Sequence, residues 1–247
     1  MKSTALVLLS LSLIGAVQAA ELSVAVAANF AAPMQKIAAA FERETGHTLA
    51  LSFGGTGKFY AQIRNGAPFE VLLAADDETP ARLEREGLGV AGTRFTYAIG
   101  KLVLWSRQAD LVDDRGEVLR AASFERIALA DPKLAPYGAA AMQVLRELGL
   151  AEALRGKFVQ GESIGQAYQF VATRNAPLGF VALSQVFVDG RVTEGSAWVV
   201  PEDLYAPIRQ DALILARGKD NPAASELMRY LQGEAAKAVI RAYGYGL

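Results

Sequence analysis

Short apolar segments alternate with amphipathic segments along this chain, and that alternation restricts the fold most. Residues 22–28 and VLLAA at 71–75 have the length and composition of buried strands, whereas Phe30, Met34 and Ile37 recur at helical spacing. Sheets that are buried on both faces produce such uninterrupted apolar runs. The sequence therefore predicts an α/β fold with mostly parallel sheets.

Helix boundaries are marked by residues that cap or end helices. Asn29 is a candidate N-cap of the first helix, and Gly46 is well placed to end it. Later helices are predicted at 59–65, 80–86, 222–231 and 235–242.

The first 19 residues have the pattern of a secretory signal peptide. Lys2 supplies a positive charge, an apolar run follows from Ala5 to Val17, and Val17-Gln18-Ala19 fits a small-residue cleavage site. That run is shorter than a membrane span, which needs about 20 residues. We therefore expect an exported, soluble mature protein.

The composition excludes several classes of function. Without Lys2, 24 basic and 26 acidic residues leave a charge of 24 − 26 = −2, and no basic stripe indicates a nucleic-acid partner. The chain has no Cys, so disulfides, zinc–thiolate sites and a cysteine nucleophile are impossible. The one His, His47, lies in a segment typical of a solvated turn. A hydrolytic triad that depends on a catalytic His is therefore not expected.

The segment GGTGK at 54–58 is similar to a phosphate-binding P-loop but does not match its pattern. That pattern requires Gly, four residues and then Gly-Lys-Ser/Thr. Counting back from Gly57-Lys58 places Ser52 at the first Gly, and Phe59 stands where the magnesium-binding hydroxyl belongs. A nucleotide site is therefore not predicted.

Small and hydroxyl-bearing residues nevertheless stand at four points where a strand or loop leads into a helix. Unpaired N–H groups at the start of a helix can bind an anion, although such residues also serve simply as caps. In open α/β sheets these turns line the crevice at the carboxyl ends of the strands, so we expect the four to converge. They are Ala28-Asn29, Thr56-Gly57, Pro136-Tyr137-Gly138 and Ser163-Ile164-Gly165.

Around these turns the sequence resembles the periplasmic molybdate-binding proteins of ABC transporters, the ModA family. The likeness covers the whole mature chain, in several long strings that occur in the same order. Those strings are AVAANF at 25–30, YAQIRNGAPFEVLLAADD at 60–77, RFTYAIGKLVLWS at 94–106, DPKLAPYG at 131–138 and APLGFVALSQV at 176–186.

The resemblance implies a two-lobed type II periplasmic-binding-protein fold with the ligand between the lobes. Lobe 1 would comprise 20–98 plus 207–247, and lobe 2 would comprise 99–206. Molybdenum would be bound only as the oxyanion, with no direct protein–metal ligand and no cofactor. The implied ligand-binding residues are Asn29, Thr56, Tyr137 and Ile164, of which the last two would use their backbone N–H groups, with Ala28, Gly57 and Ser163 as further candidates.

Two positions depart from the family pattern. Ala28 replaces a hydroxyl residue of some members, and Ala182 stands where others have a Tyr that contacts the anion. The site should therefore offer fewer side-chain donors.

The resemblance also implies a function and partners. The chain would be a monomer that binds molybdate, and tungstate too, and delivers it to a membrane permease; it would not be an enzyme.

Three alternatives remain open on the sequence. One is a binding protein for another oxyanion such as sulfate or chromate, and a second is a sensor that uses lobe closure to touch a signalling partner. The third is a secreted enzyme, but Asp76-Asp77 has the pattern of a turn into a helix rather than of a catalytic pair.

Overall fold

Residues 19–247 are described by a computed structural model with two five-stranded sheets. The predicted signal peptide, apart from Ala19, lies outside these residues. No helix in the described part is long and apolar enough to cross a membrane.

Strands and helices alternate along the described residues. The strands are β1 (Glu21–Ala27), β2 (Thr48–Gly54), β3 (Val71–Leu73), β4 (Phe95–Gly100), β5 (Leu102–Ser106), β6 (Ile127–Ala130), β7 (Phe158–Gly161), β8 (Leu178–Ala182), β9 (Phe187–Val188), β10 (Arg191–Val192), β11 (Ser196–Val199) and β12 (Ile208–Ile214). The helices are α1 (Ala31–Thr45), α2 (Thr56–Arg64), α3 (Glu78–Arg85), α4 (Val118–Ala121), α5 (Pro136–Glu147), α6 (Ala151–Leu154), α7 (Ile164–Ala172), α8 (Pro222–Leu231) and α9 (Glu234–Ala242).

The first sheet has the strand order β2-β1-β3-β12-β4. Strand β1 pairs parallel with β2 and β3, while β12 pairs antiparallel with β3 and β4. Four strands therefore run in one direction and only β12 is reversed. The prediction of a mostly parallel sheet is therefore confirmed for this sheet.

The second sheet repeats this plan in the order β11-β5-β8-β6-β7. Strand β6 pairs parallel with β7 and β8, and β5 pairs antiparallel with β8 and β11. The chain passes from the first sheet to the second between β4 and β5, and returns between β11 and β12. The strand that follows each passage, β5 or β12, is the one reversed strand of its sheet.

Each sheet is covered by helices on both faces, which explains the apolar runs. In β1, Val24 and Val26 pack into one buried cluster and Ala25 packs into another on the opposite face. In β5 of the second sheet, Leu104 packs into one buried cluster and Val103 packs into another on the opposite face. These strands are buried on both sides, as the sequence predicts.

Two local predictions are wrong. Asn29 is not the N-cap of α1: it lies in a 3-10 turn at 28–30, and α1 starts at Ala31 without a side-chain cap. His47 is not solvated but 2% exposed; it accepts a hydrogen bond from Ala20 N and contacts Glu226 at 3.0 Å. Helix α8, which supplies Glu226, packs beside it from a distant part of the sequence, so the local turn pattern did not reveal the burial.

Candidate functional site

Residues of the four predicted turns meet in one small cleft between the two sheets. Each turn follows the carboxyl end of a strand, namely β1, β2, β6 or β7, and two turns come from each sheet. Parallel strands bring their carboxyl ends to the same edge, so neighbouring turns are adjacent. The lining residues are Ala27, Ala28, Asn29, Gly54, Gly55, Thr56, Ala75, Ala135, Pro136, Tyr137, Ser163 and Ile164.

Thr56 places a buried hydroxyl in the cleft at the start of α2. The residue is 2% exposed, and its Oγ1 accepts a hydrogen bond of 2.9 Å from Ala75 N. A hydroxyl oxygen that accepts from a backbone N–H still has its own hydrogen to donate. Thr56 can therefore donate to a ligand while the N–H of Ala75, two residues beyond β3, fixes its orientation.

Asn29 also lies in the cleft, but its amide hydrogens are already used. Nδ2 donates to Gln210 Oε1 and to Tyr245 Oη, each at 2.9 Å. Its Oδ1 is buried and has no partner within residues 19–247. As arranged, the Asn29 amide donates to Gln210 and Tyr245 rather than to the cleft.

Tyr137 and Ile164 bury their side chains in the core of the second half, and the Tyr137 hydroxyl accepts from Gln210 Nε2 of β12. They stand near the starts of α5 and α7, where N–H groups have no intrahelical acceptor. The N–H groups of Thr56, Tyr137 and Ile164 donate to no protein acceptor among the described residues. Three backbone donors and one hydroxyl are thus available around the cleft.

Ser163 and Gly57 are placed differently from the other candidates. Ser163 lines the cleft, but its hydroxyl caps α7 by accepting from Gln166 N at 3.3 Å. Gly57 lines a larger neighbouring groove of about 890 Å³, where a Cβ at this position would lie 2.9 Å from Leu134 O. The glycine of this turn thus permits close contact between the two halves.

The cleft is electrically neutral apart from backbone dipoles. No charged side chain appears among its described lining residues. Lys58 and Arg64 are exposed on α2, and Asp76 lines the larger groove. Burial raises the pKa of Asp76, partly offset by hydrogen bonds from Thr79. A ligand here would be held by hydrogen bonds and helix N-termini rather than by counter-ions.

A buried polar network lies directly behind the cleft, and sequence reasoning missed it. Gln210 and Tyr245 bond Asn29, while Tyr97 and Tyr137 bond Gln210. Burial raises the pKa of the hydroxyls of all three tyrosines, so they stay protonated at neutral pH. One signal was available: Gln210 and Asp211 are polar residues inside a strand that is otherwise apolar from Ala212 to Ile214.

Ala182 is fully buried at the end of β8. The family resemblance places a ligand-contacting Tyr of other members at this position. It is not among the residues that line the cleft. Ala28 does line it and brings only a methyl group. Ala28 therefore adds no side-chain donor to the cleft.

Comparison with known proteins relates the chain to bacterial binding proteins. A family model described as bacterial extracellular solute-binding protein matches residues 22–246. The chain is 65% identical over 232 residues to the molybdate-binding protein ModA of Azotobacter vinelandii, covering 94% of this chain and 92% of the relative. It is 52% identical over 227 residues to ModA of Rhodobacter capsulatus, covering 92% and 88% of the two chains.

A solved structure is similar over nearly the same length. The Azotobacter vinelandii periplasmic molybdate-binding protein superposes with a TM-score of 0.88 at 42% identity, covering 92% of this chain and 99% of the other. The two-sheet architecture is therefore that of a known binding protein.

Proposed function

The chain belongs to the family of bacterial extracellular solute-binding proteins, and on that premise we propose that it binds molybdate in the periplasm and delivers it to the permease of an ABC transporter. One observation carries the proposal: the cleft joins the N–H groups of Thr56, Tyr137 and Ile164 to the Thr56 hydroxyl, with no charged side chain among the lining residues that the structure describes. The two relatives that are 65% and 52% identical are both named molybdate-binding proteins.

The chemistry of molybdate matches a site made of donors. Near neutral pH the ion is a dianion without a proton, so each of its oxygens can only accept hydrogen bonds. A hydrogen bond to a charged group contributes about 1.5–3 kcal/mol, so several of them can replace a counter-ion. Tungstate has the same charge and shape, and we propose that it binds too.

The same donor set discriminates against phosphate. Phosphate near pH 7 usually keeps a proton, and that proton needs an acceptor. A cleft without a carboxylate leaves the proton unpaired, which costs binding free energy. Sulfate has no such proton, so cavity size must separate it from molybdate.

We further propose the division into lobes that the resemblance implies, 20–98 plus 207–247 and 99–206. The strands support two lobes, since the first sheet uses residues between Glu21 and Gly100 and then β12, while the second uses residues between Leu102 and Val199. Strand β4 continues to Gly100, two residues past the first implied boundary. Closure of the lobes would bury the ligand and present a surface to the permease. The proposed protein is a monomer that binds its ligand without a cofactor and without chemical change.

Calorimetric titration of residues 20–247 with an oxyanion panel tests the function. Molybdate and tungstate should bind one per chain and raise the melting temperature in buffer free of oxyanions, because a ligand of the native state stabilises it. Phosphate, sulfate and chromate should bind far more weakly. If sulfate or chromate bound as tightly as molybdate, the proposed specificity would be wrong. If no oxyanion bound, the proposed function itself would be wrong.

A further inference from the structure

The 3-10 turn at 183–185, which directly follows β8, contacts both sides of the cleft. Ser184 is hydrogen-bonded to the turn at 28–30 of the first sheet, and Gln185 contacts the first residue of α7 in the second half. Neither residue is among the described residues that line the cleft. The turn at 183–185, here called the connecting turn, therefore lies behind the site and joins one anion-binding turn from each sheet.

Ser184 supplies the bond to the first sheet. The residue is 5% exposed, and its Oγ donates to the backbone oxygen of Asn29 at 2.8 Å. Tyr245 Oη lies 2.9 Å from both of these oxygens. Because a carbonyl oxygen only accepts, the backbone partner fixes the direction of the Ser184 bond. A side chain 155 residues away in sequence thus holds the backbone of the first anion-binding turn.

Gln185 and its neighbours attach the connecting turn to the second sheet. Gln185 Oε1 accepts from Ala182 N at 3.0 Å, and Nε2 donates to Ile164 O at 3.4 Å. One backbone partner is a donor and the other an acceptor, so only one orientation of this amide makes both bonds. Leu183 also packs with Val171 of α7 in one buried cluster. The connecting turn and α7 therefore form one packed unit.

These contacts fix how far apart the first and the fourth anion-binding turns lie. Asn29 and Ile164 both line the cleft, and a Cβ on Gly165 would lie 3.0 Å from Ala28 Cβ. Close packing between these turns sets the smallest distance between them, and the Ser184 bond sets the largest. The N–H of Ile164 is one of the donors proposed for the anion, so the spacing of donors across the cleft depends on Ser184.

We propose, on the premise that the cleft has the function proposed above, that Ser184 is a positioning residue that makes the cleft selective for the size of the anion. The bonds of sulfate to its oxygens are shorter than those of molybdate. Donors that are held at the spacing for molybdate cannot all reach the smaller ion. Donors that are free to shift can close around sulfate, and the preorganisation that favours molybdate is then lost.

Ser184→Ala tests this role through the ratio of two dissociation constants. Calorimetric titration gives the constant for molybdate, and competition against molybdate gives the constant for sulfate. We expect molybdate binding to weaken by about fivefold or more and sulfate binding to change by less than about twofold, so that the selectivity narrows. A role in folding stability alone would leave the ratio unchanged, because a smaller folded fraction weakens the binding of both ions equally.

The matched control is Ser106→Ala. Ser106 is fully buried, and its Oγ donates to Pro177 O at 2.6 Å and accepts from Gln108 N at 3.1 Å. Neither partner lies in an anion-binding turn, so this variant should lose stability while its selectivity stays within about twofold of the unmodified protein. If Ser184→Ala keeps the selectivity of the unmodified protein, the inference is overturned while the proposed function stands. If the unmodified protein binds no oxyanion, the proposed function itself fails.

Gln185→Met provides a second test if Ser184→Ala does not fold. Met has nearly the same length as Gln but carries no hydrogen-bond donor and only a weak acceptor. Gln185 is only partly buried, so this variant should fold. It frees the start of α7 from the connecting turn, and the selectivity for molybdate over sulfate should narrow by about twofold or more. An unchanged selectivity in Gln185→Met would overturn the proposal.

Discussion

The two walls of the cleft offer donors in different ways. The wall from the first sheet presents a side-chain donor, the hydroxyl of the buried Thr56, next to the N–H of the same residue. The wall from the second sheet presents backbone N–H groups, while the side chains of Tyr137 and Ile164 are buried in its core. Side-chain donors can be lost by almost any substitution, whereas backbone donors depend on where a helix starts. The second wall should therefore tolerate changes of side chain that the first wall does not.

The largest effect is expected when a backbone donor is removed. Ile164 is the first residue of α7, a position where Pro is tolerated because its N–H has no intrahelical acceptor. Ser163 has φ −148° and ψ 163°, an extended conformation that suits a residue before Pro. Ile164→Pro should weaken molybdate binding by about 1.5–3 kcal/mol relative to Ile164→Ala in calorimetric titration.

Ile164→Ala is the matched control, since both variants lose the buried side chain and only the Pro variant loses the N–H. Equal affinities of the two would show that this backbone group does not contact the anion. The second wall would then contribute shape rather than donors.

The next effect is expected on the first wall. Thr56→Ala removes the hydroxyl donor and deprives Ala75 N of its acceptor. Binding should weaken by about 1–3 kcal/mol, and thermal stability should fall as well, because a buried N–H is left unpaired. Thr56→Ser keeps the hydroxyl and should bind within about threefold of the unmodified protein. An unchanged dissociation constant in Thr56→Ala would remove Thr56 from the site.

A smaller effect should come from the contact between the walls. Gly57→Ala places a methyl group 2.9 Å from Leu134 O, so closure requires a backbone shift. Such overpacking costs about 1 kcal/mol or more, and the loss should be seen as faster ligand dissociation in stopped-flow measurements. Gly156→Ala, where a Cβ meets nothing within 4 Å, should behave as the unmodified protein. Equal dissociation rates for the two variants would show that close approach at Gly57 is not needed for closure.

Local patterns were enough to predict much of this arrangement. Helix α8 was predicted at 222–231 and occurs at Pro222–Leu231, because its apolar period and its Asn-Pro start are both local signals. The four turns were found in the same way, since each contains residues that start helices. Their convergence follows from parallel strands, a property of the fold class.

Contacts between distant residues were not predictable from such patterns. Asn29 bonds Gln210 and Tyr245, which lie 181 and 216 residues away in sequence. These partners, rather than the helix it precedes, determine its orientation, so the N-cap prediction was wrong. The burial of His47 against Glu226, 179 residues away, was missed for the same physical reason.

The smallest effect on affinity is expected from Ser163→Ala, although this residue has a hydroxyl and lines the cleft. That hydroxyl accepts from Gln166 N and caps α7, so it acts on the helix rather than on the ligand. Loss of an N-cap costs about 1 kcal/mol of folding stability, which chemical denaturation should reveal, while the dissociation constant should change less than about twofold. If Ser163→Ala instead weakened binding as much as Thr56→Ala, the second wall would also donate through a side chain. The distinction between the two walls would then have to be abandoned, because position in the cleft rather than the start of a helix would decide which hydroxyls bind the anion.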